Sequence, residues 1–123
     1  MNKLITPELE KSFLNYPLYS QDNKRKNAIC VCIFCIGSIR WYVLEGQREG
    51  DDFTLFSIVV GLSETEYGYV SVNELENIQI DARRYGLGIM KVTQVPAIKE
   101  CPLVDIPDDE LQTFLVDMYG EKS

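Results

Sequence analysis

Four carboxylates, those of Glu45, Glu49, Asp51 and Asp52, fall within eight residues and could bind a hard cation or act as an acid/base pair. They lack the regular spacing of a calcium-binding loop. A solvated hairpin loop, partly neutralised by the basic residues 24–26, is the alternative interpretation. Glu45 stands apart because it directly follows an apolar run, where a strand leaves the core. A partly desolvated carboxylate there would have a raised pKa unless Arg or Lys paired with it.

Four thiols, those of Cys30, Cys32, Cys35 and Cys101, could in principle form a zinc site. Strand alternation, however, predicts Cys30 and Cys32 on one face and Cys35 on the other. The sequence also lacks the two paired Cys-x-x-Cys motifs of familiar zinc sites. Free cysteine is among the most frequently buried residue types. The sequence therefore predicts that the four cysteines pack in the core and bind no metal. In a reducing compartment it also predicts that they form no disulfides.

The chain contains no histidine, which removes the commonest general base and every Ser-His-Asp or Cys-His arrangement. Neither a P-loop nor a Gly-x-Gly-x-x-Gly pattern occurs. These observations favour a non-enzymatic role and predict no cofactor.

Aromatic residues are frequent on the predicted strands, where they most often build the core. An exposed Trp41 or Tyr69 would instead indicate a binding face. Trp41, Tyr42, Glu45, Asp52 and Tyr69 are therefore the candidate binding residues.

The net charge of −7 is concentrated at the C-terminal end. Residues 100–123 hold seven carboxylates against one lysine, whereas the remaining chain is nearly neutral. This distribution argues against binding of nucleic acid, which requires clustered cations. It allows an acidic partner surface, and Asp108, Asp109, Glu110 and Asp117 are its candidate residues. A solvated acidic helix is the alternative.

The strongly apolar, β-prone sequence predicts an antiparallel meander. Its expected strands are residues 28–36, 39–45, 53–62, 67–70 and 87–95, with Gly37-Ser38 as the first turn and residues 46–52 as a loop. Residues 97–107, which contain Pro102 and Pro107, are expected to be irregular. The predicted fold class is α+β, with about five strands in one sheet.

Three helices are expected to pack on this sheet. Thr6 and Pro7 are suited to start a helix over residues 6–15. Ser71 and Glu74 have the spacing of a capping box and predict a helix over residues 72–79. The C-terminal helix has an apolar face with helical spacing: Leu111, Phe114, Leu115 and Met118.

A chain of 123 residues fits a single domain, residues 1–123. No run approaches the roughly 20 apolar residues of a membrane helix. The first helical stretch is too acidic for a signal peptide, so a cytoplasmic location is expected.

Several motifs in order resemble an uncharacterised bacterial family, a domain of unknown function often found on plasmids and integrative elements. The matching segments are residues 4–9, Trp41-Tyr42-Val43-Leu44-Glu45-Gly46, Asp52-Phe53 with Phe56, residues 61–62 and residues 66–76 without position 70. The resemblance covers residues 3–95. This chain departs from the family pattern near Cys30 to Cys35, where it has thiols instead of a polar residue. The resemblance implies an accessory gene of a mobile element, sometimes near antirestriction functions, and no activity, cofactor or catalytic residue.

Three functional hypotheses follow. The first is a non-enzymatic module that binds a protein partner. Exposed aromatic strands could also pair between two copies of the chain in a homodimer. The second is an acidic nucleic-acid mimic that inhibits a DNA-binding enzyme. The third is a small enzyme or ligand binder that uses the carboxylate and aromatic residues around Glu45.

Overall fold

A five-stranded antiparallel sheet forms the centre of the molecule, and the predicted α+β class is confirmed. The computed structural model describes residues 3–96 and 100–120. Its strands are β2 (Cys32–Ile36), β3 (Ile39–Glu49), β4 (Asp52–Val60), β5 (Glu66–Ser71) and β8 (Thr93–Gln94). They lie in the order β5-β4-β3-β2-β8. Strands β2 to β5 form the expected meander.

Two small strand pairs flank this sheet. One joins β1 (Ile29–Cys30) to β9 (Cys101–Pro102), and the other joins β6 (Gln79–Asp81) to β7 (Ile89–Lys91). The predicted single strand over residues 87–95 is therefore wrong, because its two halves pair with different partners. Residues 97–107 were predicted to be irregular, and residues 97–99 of this stretch lie outside the described residues. In the rest of the stretch, β9 and a 3-10 turn at Leu103–Asp105 form short regular elements.

Three α-helices follow their predicted starts. Helix α1 (Pro7–Phe13) is capped by the Thr6 hydroxyl, which accepts a 3.1 Å hydrogen bond from the Leu9 amide. Helix α2 (Val72–Asn77) begins with the predicted reciprocal capping box. Helix α3 (Asp109–Tyr119) is capped by Asp108. Local side-chain capping therefore sets all three helix starts.

The sheet is buried on both faces. Helices α1 and α2 cover one face and form the first core, which contains Leu9, Phe13 and Leu75. Helix α3 covers the other face through Leu111 and Leu115 and forms the second core. Met118, predicted on the buried stripe, is instead 52% exposed. The buried row of α3 runs through positions 111 and 115 to Tyr119, at intervals of four residues.

A bulge at Val31 corrects the predicted placement of the cysteines. The Val31 amide donates to the Val43 carbonyl at 2.7 Å, while Cys32 is the register partner of Val43, so two residues oppose one. Val31 and Cys32 both face the first core, whereas Cys30 faces the second. Cys30 and Cys32 therefore lie on opposite faces, contrary to the simple alternation.

The predicted loop over residues 46–52 is mostly strand. Strands β3 and β4 continue in register to the Glu49 and Asp52 pair, which leaves only Gly50 and Asp51 as the turn. The glycine, with φ of 64°, adopts the left-handed conformation that this tight reversal requires. In the described part of the chain, no helix is both long and apolar enough to cross a bilayer.

The burial of the thiols predicts a specific labelling pattern. Burial raises the pKa of Cys30 to about 12 and that of Cys32 well above its ordinary value, so neither forms an appreciable thiolate at neutral pH. We expect Ellman's reagent to label at most Cys35 and Cys101 in the native protein and all four thiols in denaturant. Rapid native labelling of Cys30 or Cys32, or thiols released only by a chelator, would contradict core packing.

Candidate functional site

The five candidate binding residues do not form one site. Trp41 is buried in the first core, and Tyr42 is buried in the second. Asp52 accepts a 3.0 Å hydrogen bond from the Asn73 amide and thereby connects β4 to α2. Glu45 and Tyr69, however, share one cross-strand row on the α3 side of the sheet, with Phe56 between them, because Glu45 pairs with Phe56 and Phe56 pairs with Tyr69. Burial, the Tyr19 hydroxyl and, after these, the Glu45 charge raise the pKa of Tyr69.

A second bulge directs Glu45 into the molecule. Val43 pairs with Ser57 and Glu45 pairs with Phe56, so Leu44 is the extra residue on β3. As a result, Leu44 and Glu45 both face the side of α3. The next residue, Gly46, faces α1, where a Cβ atom would lie only 2.9 Å from the Phe13 ring. A glycine is therefore required next to Glu45 for α1 to approach the sheet closely.

The Glu45 carboxylate is 1% exposed and binds the main chain of the segment between α1 and β1. Its Oε1 accepts a 2.7 Å hydrogen bond from the Tyr19 amide, and its Oε2 accepts a 2.8 Å bond from the Gln21 amide. Charge-assisted bonds of this kind are about twice as strong as neutral ones. Main-chain amides therefore compensate this buried charge.

Gln21 extends the same network. Its side-chain nitrogen donates to the carbonyls of Ile29 and Leu44, both at 2.7 Å, and its oxygen accepts from the Ile29 amide at 2.6 Å. The buried pair of Glu45 and Gln21 thus fixes residues 19–25, which we call the clamp loop. The role of the pair is positioning, because its polar atoms contact main chain.

The clamp loop is held in a strained conformation. Among the described residues, the non-glycine residues with positive φ are Tyr19 at 73°, Asn23 at 72° and Arg25 at 54°. Left-handed backbone costs an ordinary residue about 1–2 kcal/mol, although asparagine tolerates it better. Such strain persists only where surrounding contacts determine the conformation, and it is concentrated at functional sites.

The clamp loop forms one wall of a cleft of about 380 Å³. Asp22, Asn23 and Arg25 line it from the loop, and Phe56 and Tyr67 line it from the sheet. Tyr119, at the end of α3, closes the third side. This volume lies within the range of roughly 300–1,000 Å³ that is typical of small-molecule sites.

Aromatic rings form a continuous row beside this cleft. The Phe56 and Tyr67 rings are parallel within 1° at 5.4 Å between centroids, and Tyr69, which is 55% exposed, contacts Phe56 at 4.9 Å. Phe114 of α3 contacts Tyr67 at 5.5 Å. The Tyr67 hydroxyl lies 2.6 Å from that of Tyr119, and burial followed by this contact raises the pKa of Tyr67. The row thus connects β4 and β5 to α3.

The candidate acidic surface separates into one internal residue and three exposed ones. Asp108 accepts hydrogen bonds from the Tyr42 hydroxyl, from Arg40 Nη2 at 2.8 Å and from the Leu111 amide at 3.2 Å. Burial alone would raise the pKa of Asp108, but these donors outweigh it and lower the pKa below its ordinary value. Asp108 therefore anchors α3 and is not free to meet a partner.

The other acids of this surface line a second depression, the acidic groove, of about 520 Å³. Asp109, Glu110 and Asp117 of α3 lie on one side, and Glu64 lies on the other. Phe114 is the large apolar residue among those that line it. Within residues 3–96 and 100–120, no group of three or more cysteine and carboxylate side chains is arranged to hold a metal ion.

Sequence reasoning missed most of the cleft. Asn23, Arg25 and Tyr119 are distant in sequence from the aromatic residues of β4 and β5, and their proximity depends on the clamp loop. The period-two spacing of Tyr67 and Tyr69, opposite Phe56 on the neighbouring strand, was the available local signal.

The Glu45 network predicts an effect on stability. In Glu45→Gln one carboxylate oxygen becomes an amide group that cannot accept a hydrogen bond, so the Tyr19 or Gln21 amide loses its acceptor. We expect a loss of about 2–3 kcal/mol in the free energy of unfolding, measured by urea denaturation. Glu49→Gln, on the exposed end of the same strand, should change it by less than about 0.5 kcal/mol. Equal effects of the two substitutions would contradict the clamp.

Asp108 predicts a dependence of stability on pH. Because its folded pKa is lowered, its contribution is present above the unfolded pKa of about 3.9 and is lost as the pH falls through the folded pKa. Asp108→Asn keeps a capping residue but removes the charge, so we expect about 1–3 kcal/mol of destabilisation at neutral pH. This difference should shrink below about pH 4. The exposed Asp109→Asn is the control, and a difference that does not depend on pH would refute the assignment.

Comparison with known proteins adds no family or activity to this geometry. No protein-family model, curated protein or solved structure matches the chain significantly. The function must therefore be inferred from the cleft, the groove and their residues.

Proposed function

We propose that this protein is a non-enzymatic binding module that docks a basic segment of a partner protein in the acidic groove. One observation carries the proposal: four carboxylates surround an apolar residue in a groove that no lysine or arginine of the described chain lines. Complementary charge steers such partners together and selects among them.

The groove differs from the surface expected from sequence. Asp108 does not belong to the groove surface, because its carboxylate accepts hydrogen bonds from Arg40 and Tyr42. Glu64, from the connection between β4 and β5, lines the groove although it was not among the acids predicted from the sequence. Arg40 Nη2 lies 3.4 Å from Glu110, so that carboxylate is partly compensated. Glu64, Asp109 and Asp117 are the main determinants of the proposed surface.

The chemistry of the groove specifies the partner segment. Lysine or arginine side chains of the segment would contact the rim carboxylates, while an apolar or aromatic side chain would contact Phe114. Buried apolar and aromatic anchors supply most of the energy at interfaces, whereas exposed ion pairs contribute about 0–1 kcal/mol each. Association should therefore become slower at high salt, with a smaller effect on dissociation.

One observation supports a binding role over catalysis. Both Glu45 oxygens are engaged by main-chain amides, which leaves this carboxylate poorly placed to transfer protons.

The proposal places the protein in the cytoplasm, since its cysteines are free thiols, the state that a reducing compartment maintains. The resemblance to a family carried by mobile elements is consistent with an accessory role.

Site-specific photo-crosslinking tests this proposal. A benzoylphenylalanine replaces Thr113 in the groove, and a matched probe replaces the exposed Tyr85 outside it. In the native host we expect only the Thr113 probe to crosslink, to a protein segment with net positive charge. With that purified partner, the triple substitution Glu64→Lys, Asp109→Lys and Asp117→Lys should weaken binding by about tenfold or more.

Three outcomes would overturn the proposal. Crosslinking to an acidic or neutral segment, or unchanged affinity of the triple variant, would exclude the groove as the docking surface. If the partner is a DNA-binding enzyme that the protein inhibits in competition with DNA, the alternative of an acidic nucleic-acid mimic is correct instead.

A further inference from the structure

A second depression adjoins the cleft beside the clamp loop. It has a volume of about 270 Å³, and we call it the basic hollow. It shares Asn23, Arg25 and Tyr119 with the cleft, so the two form one continuous surface. The cleft contains aromatic rings, whereas the basic hollow contains cations.

The aromatic end is suited to a flat ring. Phe56 and Tyr67 are half-buried and both line the cleft, so they offer aromatic surface there against which a planar ligand can pack. Stacking of a nucleobase on an aromatic side chain contributes about 1–3 kcal/mol. Asp22 and Asn23 line the same cleft and offer acceptors and donors to the polar edge of a base.

The basic end is suited to a single phosphate. The Arg25 guanidinium carbon lies 5.9 Å from the centroid of the Tyr119 ring, at the junction of the two depressions. A guanidinium held by a cation–π contact keeps its N–H groups available for bidentate contact with phosphate. Lys24 is exposed next to it, and no carboxylate of the described chain lines the basic hollow.

We propose that the cleft and the basic hollow together bind a nucleoside monophosphate. Its base would stack against Phe56 and Tyr67, and its phosphate would contact Arg25 and Lys24. The strained clamp loop serves this site because the left-handed conformation of Arg25 is part of the wall that joins the two depressions. A nucleic-acid strand is a poorer fit, since it needs an extended row of cations and these two are adjacent in sequence.

Calorimetric titration tests this inference on the full-length protein. The probes are AMP, GMP, CMP and UMP, the corresponding nucleosides, inorganic phosphate and a short 5′-phosphorylated single-stranded oligonucleotide. We expect at least one monophosphate to bind with a Kd below about 1 mM, more tightly than its nucleoside and than inorganic phosphate.

A matched pair of substitutions locates the phosphate. Arg25→Asn removes the guanidinium and tolerates the left-handed backbone. It should weaken binding of the monophosphate by about tenfold and leave the nucleoside unaffected. Arg84→Asn removes an equivalent guanidinium, 6.0 Å from the Tyr85 ring and outside the cleft, and should change neither. Circular dichroism confirms that each variant is folded.

Four results would overturn the inference. They are no binding of any monophosphate up to about 1 mM, equal affinity for inorganic phosphate and monophosphates, equal effects of the two arginine substitutions, and binding of the oligonucleotide alone.

Discussion

The buried Glu45 carboxylate determines how the irregular part of this molecule is arranged. It lies at a bulge in β3, where the extra residue Leu44 turns it toward the side of α3. A charge in this position would be unfavourable without partners, and the amides of Tyr19 and Gln21 provide them. The same bonds hold the chain between α1 and β1 in a conformation that its own residues disfavour. The cleft wall therefore depends on one side chain of the sheet.

The second anchored element is α3, and it follows the same physical rule. Its apolar row contacts the sheet through Leu111 and Leu115, but its start is fixed by Asp108 through Arg40 and Tyr42 of β3. Strand β3 thus holds both the clamp loop and the helix by buried or half-buried polar contacts. The two surfaces to which we assign binding, the cleft and the acidic groove, are formed by elements that these contacts position. Burial of apolar side chains stabilises the sheet, and these polar contacts determine where the clamp loop and α3 lie on it.

The regular elements could be predicted from sequence because their signals are local. The Thr6 cap, the capping box of Ser71 and Glu74 and the apolar row of α3 identified three helices, and β-prone runs identified the meander. The failures have non-local causes. The bulges at Val31 and Leu44 change which face a residue occupies, and only pairing with the neighbouring strand reveals them. Residues 87–95 divide between two sheets for a similar reason. The candidate site was only partly predictable: Glu45 and Tyr69 do lie in one cross-strand row on either side of Phe56. The clamp loop that completes the cleft, however, folds through contacts more than twenty residues apart in sequence.

Hydrogen exchange of the Tyr19 and Gln21 amides, measured residue by residue by NMR, tests the central claim most directly. If Glu45 holds the clamp loop, both amides should exchange about a hundredfold or more slowly than in an unstructured peptide of the same sequence. In the Glu45→Gln protein at least one of the two amides should lose this protection, because one acceptor oxygen is replaced, while the amides of β3 and β4 keep theirs. Exchange of the two amides at the unprotected rate in the native protein, with the sheet still protected, would contradict the account.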